Sequence, residues 1–195
     1  MGDAERKIMK LPDPLYPILM PSEWEAPANT PTFRLQVPSE DPRIPWVTFG
    51  NMGSDGLEPF EADVEEAFKR EQIEEAALQH LVERMASWQR VKSQGGGGRS
   101  SMLACLDDPL AAERILDPDF IRQAGKKLGT ELLAIGIPRR GLMVAMDGRQ
   151  PEESLMGFGA FNLAEFHSGD SDPITSLTFL MDDGEIAGIA NFGVE

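Results

Sequence analysis

The chain has 195 residues, of which 41% are hydrophobic, and a formal net charge of −15. This length supports one domain of ordinary size or two small ones with a real core. The acidic balance argues against binding to nucleic acids or anionic membranes, because both depend on Lys and Arg side chains that face phosphates. The single cysteine, Cys105, excludes an intramolecular disulfide, and its apolar surroundings predict a small buried side chain.

Two further patterns concern location. The chain lacks a basic start followed by an apolar stretch and a small-residue cleavage site, so we expect no secretory signal. Its apolar segments all fall short of the roughly 20 residues of a membrane span. The sequence therefore predicts a cytoplasmic protein.

Residues 1–31 alternate proline with isolated hydrophobic residues. Proline removes an amide donor and disfavours helix at the preceding residue, so we expect an N-terminal arm with little regular structure. The arm either packs on the body or on a second subunit, or it is disordered and binds a partner.

The region 32–94 is predicted to run from strands through a loop to a long helix. Alternating apolar residues predict a strand over 32–37 and a short one over 45–49, and glycines predict a loop over 50–58. Apolar side chains recur at helical spacing over residues 61–91, and this pattern predicts the long helix. Met85 and Trp88 belong to its apolar side. The four glycines that follow predict a flexible linker over 95–100.

The region 101–195 predicts an α+β domain. Residues 101–106 form a strand, and residues 118–128 form a helix that Asp117 caps and Gly129 ends. Apolar runs at 131–137 and 141–146 predict a hairpin, as do those at 174–181 and 186–192. A helix over 153–165 separates them. We expect an antiparallel or mixed sheet with helices packed on one face.

The two hairpin regions carry a resemblance. Residues 131–138 read ELLAIGIP and 142–145 read LMVA, while 172–180 read DPITSLTFL and 183–186 read DGEI. Over roughly residues 118–195, these blocks resemble the YtpQ-like bacterial proteins, a family without an assigned activity. The resemblance implies a cytoplasmic domain and transfers no catalytic residue.

The densest polar cluster is residues 165–172, where Glu165, His167, Asp170 and Asp172 offer carboxylate and imidazole ligands to a divalent cation. The spacing matches neither an EF-hand loop nor a His-Glu-x-x-His helix. A solvated turn between helix and strand explains the same residues. We therefore keep a metal site at His167, Asp170 and Asp172 as the alternative interpretation.

Catalytic patterns are weak elsewhere. Ser54 lacks the strand–turn–helix context of a nucleophile elbow. Two charged pairs occupy the predicted hairpin turns, namely Asp182 with Asp183 and Arg139 with Arg140. Turn geometry and solvation explain the presence of charged residues there. His80 is expected on the long helix as a surface or capping residue. No catalytic residue and no cofactor are predicted.

Two functions follow from these patterns. The first is a non-catalytic protein-binding or regulatory module, with a protein partner or a homodimer. It rests on the acidic balance and on ten methionines, which suit irregular cores and adaptable binding surfaces alike. The second is a divalent-metal or small-ligand binding protein, with hydrolysis as one use of the cluster at 165–172.

Overall fold

The computed structural model describes residues 11, 13–27, 30–53, 56–60, 70–92, 101–106, 108–169 and 172–190. These residues form two antiparallel sheets and three α-helices, which confirms the α+β class. The strands are β1 Tyr16–Met20, β2 Phe33–Arg34, β3 Trp46–Gly53, β4 Gly56–Pro59, β5 Gln89–Lys92, β6 Ser101–Cys105, β7 Leu132–Arg139, β8 Leu142–Asp147, β9 Thr178–Asp182 and β10 Glu185–Ala190. The helices are α1 Arg70–Glu83, α2 Pro118–Leu128 and α3 Glu152–Phe166, with a 3-10 helix over Ala112–Leu116.

The first sheet is built around β3. Strand β1 pairs with β3 on one side, from Tyr16 opposite Gly50 to Met20 opposite Trp46. The short strand β2 pairs at Val47 and Trp46, and β4 pairs with the second half of β3. β1 is therefore an edge strand.

The second sheet has the order β10-β9-β7-β8-β6-β5. Both predicted hairpins are confirmed, as β7–β8 and β9–β10. Alternate side chains of the sheet enter two cores. On one face Leu103, Ile135 and Ala145 pack with α2 and with residues of the first sheet. On the other face Ala134 and Val144 pack with α3.

Helices thus cover both faces of the second sheet, and the expectation of one covered face is wrong. The physical reason is that its central strands are apolar on both sides, as in the run of buried residues within β7 and β8. Such a strand buries two faces and needs a cover on each.

The helix at residues 118–128 is confirmed with its ends. Asp117 accepts a hydrogen bond from the Phe120 amide, and Pro118 stands at the first helical position. Gly129 follows with φ of 76°, the left-handed conformation that glycine adopts without strain. The helix predicted over 153–165 is also confirmed, as α3.

The N-terminal prediction is wrong where the structure describes it. Instead of an arm without regular structure, residues 16–20 form β1, of which four residues are buried. An edge strand needs ladder hydrogen bonds on one side only, so it tolerates Pro17.

Of the long helix predicted over 61–91, residues 70–83 form α1 and residues 61–69 lie outside the described residues. The prediction is wrong after Glu83. α1 ends at Glu83, Trp88 lies in the following loop, and residues 89–92 form β5. Trp88 is instead held by a stacked contact with Phe120, at 4.9 Å between ring centroids, and donates to the Phe120 carbonyl. The tertiary contact overrides the helical spacing.

Two shorter segments also differ. The predicted loop over 50–58 contains the β3–β4 pairing, in which Met52 lies opposite Leu57. Of the strand predicted over 32–37, only Phe33 and Arg34 form a strand, which is β2. Residues 95–100, the predicted linker, lie outside the described residues, as does Ser54.

A buried amide joins α3 to the second sheet. Asn162 is fully buried, and its side chain donates to the Thr178 hydroxyl at 3.0 Å. Gly136 of β7 lies directly beneath it, and a Cβ at that position would overlap the Asn162 carboxamide. The helix can approach the sheet this closely because residue 136 has no side chain.

We expect Gly136→Ala to lower the free energy of unfolding by about 1–3 kcal/mol, through overpacking against Asn162. In a double-mutant cycle with Asn162→Ala, the double variant should lose less unfolding free energy than the two single variants together. The reason is that the new methyl group occupies the space that the Asn162 carboxamide has left. Urea denaturation measures each term.

The matched control is Gly157→Ala, on the exposed side of α3, where nothing lies within 4 Å of the added Cβ. It should be neutral or stabilise by up to about 1 kcal/mol, since alanine favours helix over glycine. Additive effects of the Gly136 and Asn162 substitutions would contradict the proposed close approach.

Candidate interaction site

Helix α1 has apolar side chains on two sides. Its inner side buries Ile73, Ala77 and Leu81 completely, against the first sheet. On its outer side Leu78 is 37% and Val82 55% exposed. A helix that needs only a core contact has one apolar stripe, so the second stripe calls for a separate explanation.

The outer stripe continues in both directions along α1. Beyond Val82 it reaches Met85, which is 98% exposed just after the helix and was predicted to be buried. Towards the start of the helix, the same spacing reaches Glu75 and Glu71, both exposed. We call these five residues the acidic–apolar stripe: Glu71, Glu75, Leu78, Val82 and Met85.

A buried arginine fixes the end of α1. Arg114, in the 3-10 helix, is 2% exposed and donates from Nη2 to the Arg84 carbonyl at 2.6 Å. This carbonyl lies at the C-terminus of α1, where the last carbonyls have no partner within the helix. A cation there also interacts favourably with the helix dipole.

Two buried carboxylates hold that arginine. Asp117 Oδ2 lies 3.3 Å from Arg114 Nη1, and Asp108 Oδ2 lies 3.7 Å from Arg114 Nε. Asp108 also accepts from Arg84 Nη2 at 3.2 Å. Burial alone would lower the pKa of Arg84, but its contacts with Tyr16 and Asp108 outweigh burial and raise it. These contacts together hold the C-terminal end of α1 in place.

A second buried ion pair binds the edge of β1. Glu113 is fully buried, and its Oε1 accepts from Arg140 Nη1 at 2.8 Å and from the Leu19 amide at 3.2 Å. Arg140 Nη2 in turn donates to the Leu19 carbonyl at 3.0 Å. The pair takes both backbone groups of Leu19 and so acts in place of a neighbouring strand. We call it the Leu19 clamp: Glu113, Arg140 and the Leu19 backbone.

Two more of the outward positions on that edge cannot donate to another strand. In the β1–β3 register, residues 15, 17 and 19 turn their backbone groups away from β3. The Leu15 amide donates to His80 Nδ1 at 3.1 Å, and Pro17 has no amide to donate. His80 is thus a partly buried residue that binds the β1 edge. A closed edge offers no template for pairing with another strand.

The arginines of the β7–β8 turn were predicted to be solvated. For Arg140 this prediction is wrong, since only 16% of its side chain is exposed and its partner Glu113 is fully buried. Arg139 is more open and pairs with Glu165 at 3.0 Å, both side chains being about a quarter exposed.

The structure describes two of the three residues predicted to bind a metal, His167 and Asp172. His167 is exposed after the end of α3 and contacts Phe166 edge to face. Asp172 is 83% exposed, with its Oδ2 3.6 Å from Arg140 Nε, and Asp170 lies outside the described residues. Within the described part of the chain, no three His, Cys, Asp or Glu side chains form a group suited to a metal. The metal site stays a prediction.

Comparisons with protein-family models, curated proteins and solved structures found no match to this chain. The YtpQ-like resemblance therefore stays a prediction as well. Of the helices in the described ranges, none combines the length and apolarity needed to cross a membrane.

Sequence reasoning missed the buried charges. One signal was available: Glu113 and Arg114 interrupt the apolar run 110–116, and charges in such a run are buried only when they are paired. Arg140 offered no such signal, because its partner lies 27 positions away and its own turn contains polar residues.

We expect Arg140→Ala to lower the free energy of unfolding by about 3–5 kcal/mol, because it leaves the Glu113 carboxylate buried without a cation. The neighbouring substitution Arg139→Ala is the matched control and should cost about 1 kcal/mol or less, since its partner Glu165 is partly exposed and stays hydrated when the cation is removed. Chemical denaturation measures the unfolding free energy of both variants. Equal losses would contradict the conclusion that Arg140 neutralises a buried Glu113.

Stability should also depend on pH through Glu113. Burial raises the pKa of Glu113, and the charge of Arg140 offsets part of this rise. The folded state then keeps the proton to a higher pH than the unfolded chain, so stability falls as the pH rises from the ordinary to the raised pKa. Glu113→Gln removes this dependence.

The unfolding free energy of the wild type minus that of Glu113→Gln should therefore decrease as the pH rises through that interval, and then level off. Urea denaturation at a series of pH values from mildly acidic to neutral measures the difference. A difference that increases with pH would show that Arg140 lowers the pKa more than burial raises it.

Proposed function

We propose that this protein is a non-catalytic protein-binding module, and that the acidic–apolar stripe of α1 holds a basic segment of its partner. The observation that carries this proposal is the exposure of Leu78 and Val82 on one side of α1, together with that of Met85 just after its end. Single exposed hydrophobic residues are ordinary, whereas an aligned set on a fixed helix is typical of an interaction surface.

Charge defines the kind of partner. The chain has a net charge of −15, and Glu71 and Glu75 lie in the same stripe as the apolar residues. Within α1, Arg70 pairs with Glu74, whereas the side chains of Glu71 and Glu75 are exposed to solvent. An amphipathic helix with Lys or Arg beside apolar anchors complements this pattern.

The surface is also fixed in position. The contacts of Arg114 hold the C-terminal end of α1, and the buried residues Ile73, Ala77 and Leu81 hold its inner side. A partner would bind a surface that is already ordered, and less conformational entropy would be lost on binding. Met85 adds a flexible, polarisable side chain that adapts to its contact.

A fluorescent amphipathic peptide of Lys and Leu at helical spacing is a suitable probe. We expect saturable binding that weakens as salt is added, because the stripe is solvent-exposed and its charges are screened. The double substitution Leu78→Ser/Val82→Ser should raise the Kd about tenfold or more, by removing the central anchors. Fluorescence anisotropy measures both effects.

The control is Met156→Ser on α3, which removes a hydrophobic side chain of 46% exposure outside the stripe. It should leave the Kd unchanged. Circular dichroism and thermal denaturation are used to check that each variant is folded. Equal affinities for the Leu78→Ser/Val82→Ser and Met156→Ser proteins would contradict the proposal.

A further inference from the structure

The most basic short stretch of this acidic chain lies within its first ten residues, which are outside the described residues. Residues 6–10 read RKIMK, with three cations in five positions and no carboxylate. No other five-residue stretch of the sequence contains three Lys or Arg residues. Ile8 and Met9 stand between the cations, so apolar and basic side chains are neighbours. This composition complements the acidic–apolar stripe.

The first described residues lie against α1, the helix that carries the stripe. Leu11 packs with the cluster that contains Ile73 and Ala77. Asp13 Oδ1 lies 3.5 Å from His80 Nε2. The segment that precedes Leu11 is therefore attached at a point that already contacts α1.

The segment is long enough to reach the stripe. A chain extends by at most about 3.3–3.6 Å per residue, so Ile8 can lie up to about 10 Å from Leu11. An α-helix with its side chains is about 10–12 Å across. A segment that leaves Leu11 on one side of α1 can therefore place Ile8 and Met9 on the other side.

The charges of α1 are opposite to those of the segment. The helix contains a single arginine, Arg70, and four glutamates, Glu71, Glu74, Glu75 and Glu83. Arg70 pairs with Glu74, while Glu71 and Glu75 are exposed within the stripe. Opposite charges attract over about 8 Å at physiological ionic strength, so attraction favours the contact before the apolar side chains meet.

We propose that residues 6–10 bind the acidic–apolar stripe of their own molecule and compete with an external partner for it. The three cations pair with the carboxylates of the stripe, and Ile8 and Met9 cover its apolar residues. This inference rests on the binding function proposed above and adds its regulation. A partner gains the stripe only by displacing the chain's own segment.

Tethering makes weak intrinsic binding sufficient. A short linker gives an effective concentration of about 1 mM or more. A segment whose Kd for the stripe is about 0.1 mM is then bound in about nine molecules of ten. It raises the apparent Kd of an external peptide about tenfold, because the free stripe is only a tenth of the population.

The charge-neutral double substitution Ile8→Ser/Met9→Ser in the full chain removes the apolar anchors of the segment. The fluorescent Lys and Leu peptide should then bind with a Kd at least threefold lower, because it no longer displaces the segment. Met156→Ser is the matched control and should leave the Kd unchanged. Fluorescence anisotropy measures each Kd.

Competition can also be restored in a separate molecule. A synthetic peptide of residues 1–10, added to the Ile8→Ser/Met9→Ser protein, should raise the Kd of the fluorescent peptide again. The same synthetic peptide with Arg6→Glu/Lys7→Glu should not, because its charges no longer complement the stripe.

Two-dimensional NMR tests the contact without a partner. Ile8→Ser/Met9→Ser should shift the amide resonances of Leu78 and Val82 and leave that of Met156 in place. The differences between this variant and the wild type should be the same after tenfold dilution, since segment and stripe belong to one molecule.

The inference is overturned if the Leu78 and Val82 amides do not shift. It is also overturned if the shifts vanish on dilution, since a second copy then supplies the segment. An unchanged peptide Kd in Ile8→Ser/Met9→Ser, with a raised Kd in Leu78→Ser/Val82→Ser, overturns this inference alone. Failure of the proposed function is distinct, because Leu78→Ser/Val82→Ser would then bind the peptide as the wild type does.

Discussion

The Leu19 clamp joins the two sheets at the edge where β1 would otherwise be exposed. Glu113 comes from the 3-10 helix and Arg140 from the β7–β8 turn of the second sheet, while Leu19 belongs to the first. One ion pair thus connects three elements that are distant in the chain. Buried charges of this kind are costly unless paired, so the clamp forms only when all three elements are in place. We infer that it favours this arrangement of the sheets over alternatives that would leave either charge buried without a partner.

The second group of buried charges extends this arrangement to α1. Arg114 follows Glu113 directly, so the same 3-10 helix that closes the β1 edge also binds the end of α1. The exposed face of α1 is therefore oriented by contacts on its opposite face. The edge of β1 is closed to other strands, whereas the outer side of α1 is left open with apolar residues at regular spacing. This contrast between a closed edge and an open helix face supports a role in binding.

The sequence predicted those elements whose signals are local. Asp117, Pro118 and Gly129 delimit α2 because capping depends on residues a few positions apart. The hairpins were predicted because apolar runs and turn residues lie next to each other. β1 was missed because its proline is tolerated only at an edge, and whether a strand lies at an edge is a property of the whole sheet. The exposed stripe was missed for the same reason, since the side of α1 that packs on the first sheet is set by the whole fold.

Amide hydrogen exchange at Leu19 tests the central claim most directly. In an edge strand this outward amide ordinarily faces solvent and exchanges through local fluctuations. Because the clamp buries it against Glu113, we predict that it exchanges only on global unfolding, with the same free energy as the core amides of β7. Exchange of the Leu19 amide at the rate of a freely exposed edge would contradict the clamp and the arrangement of the sheets that depends on it.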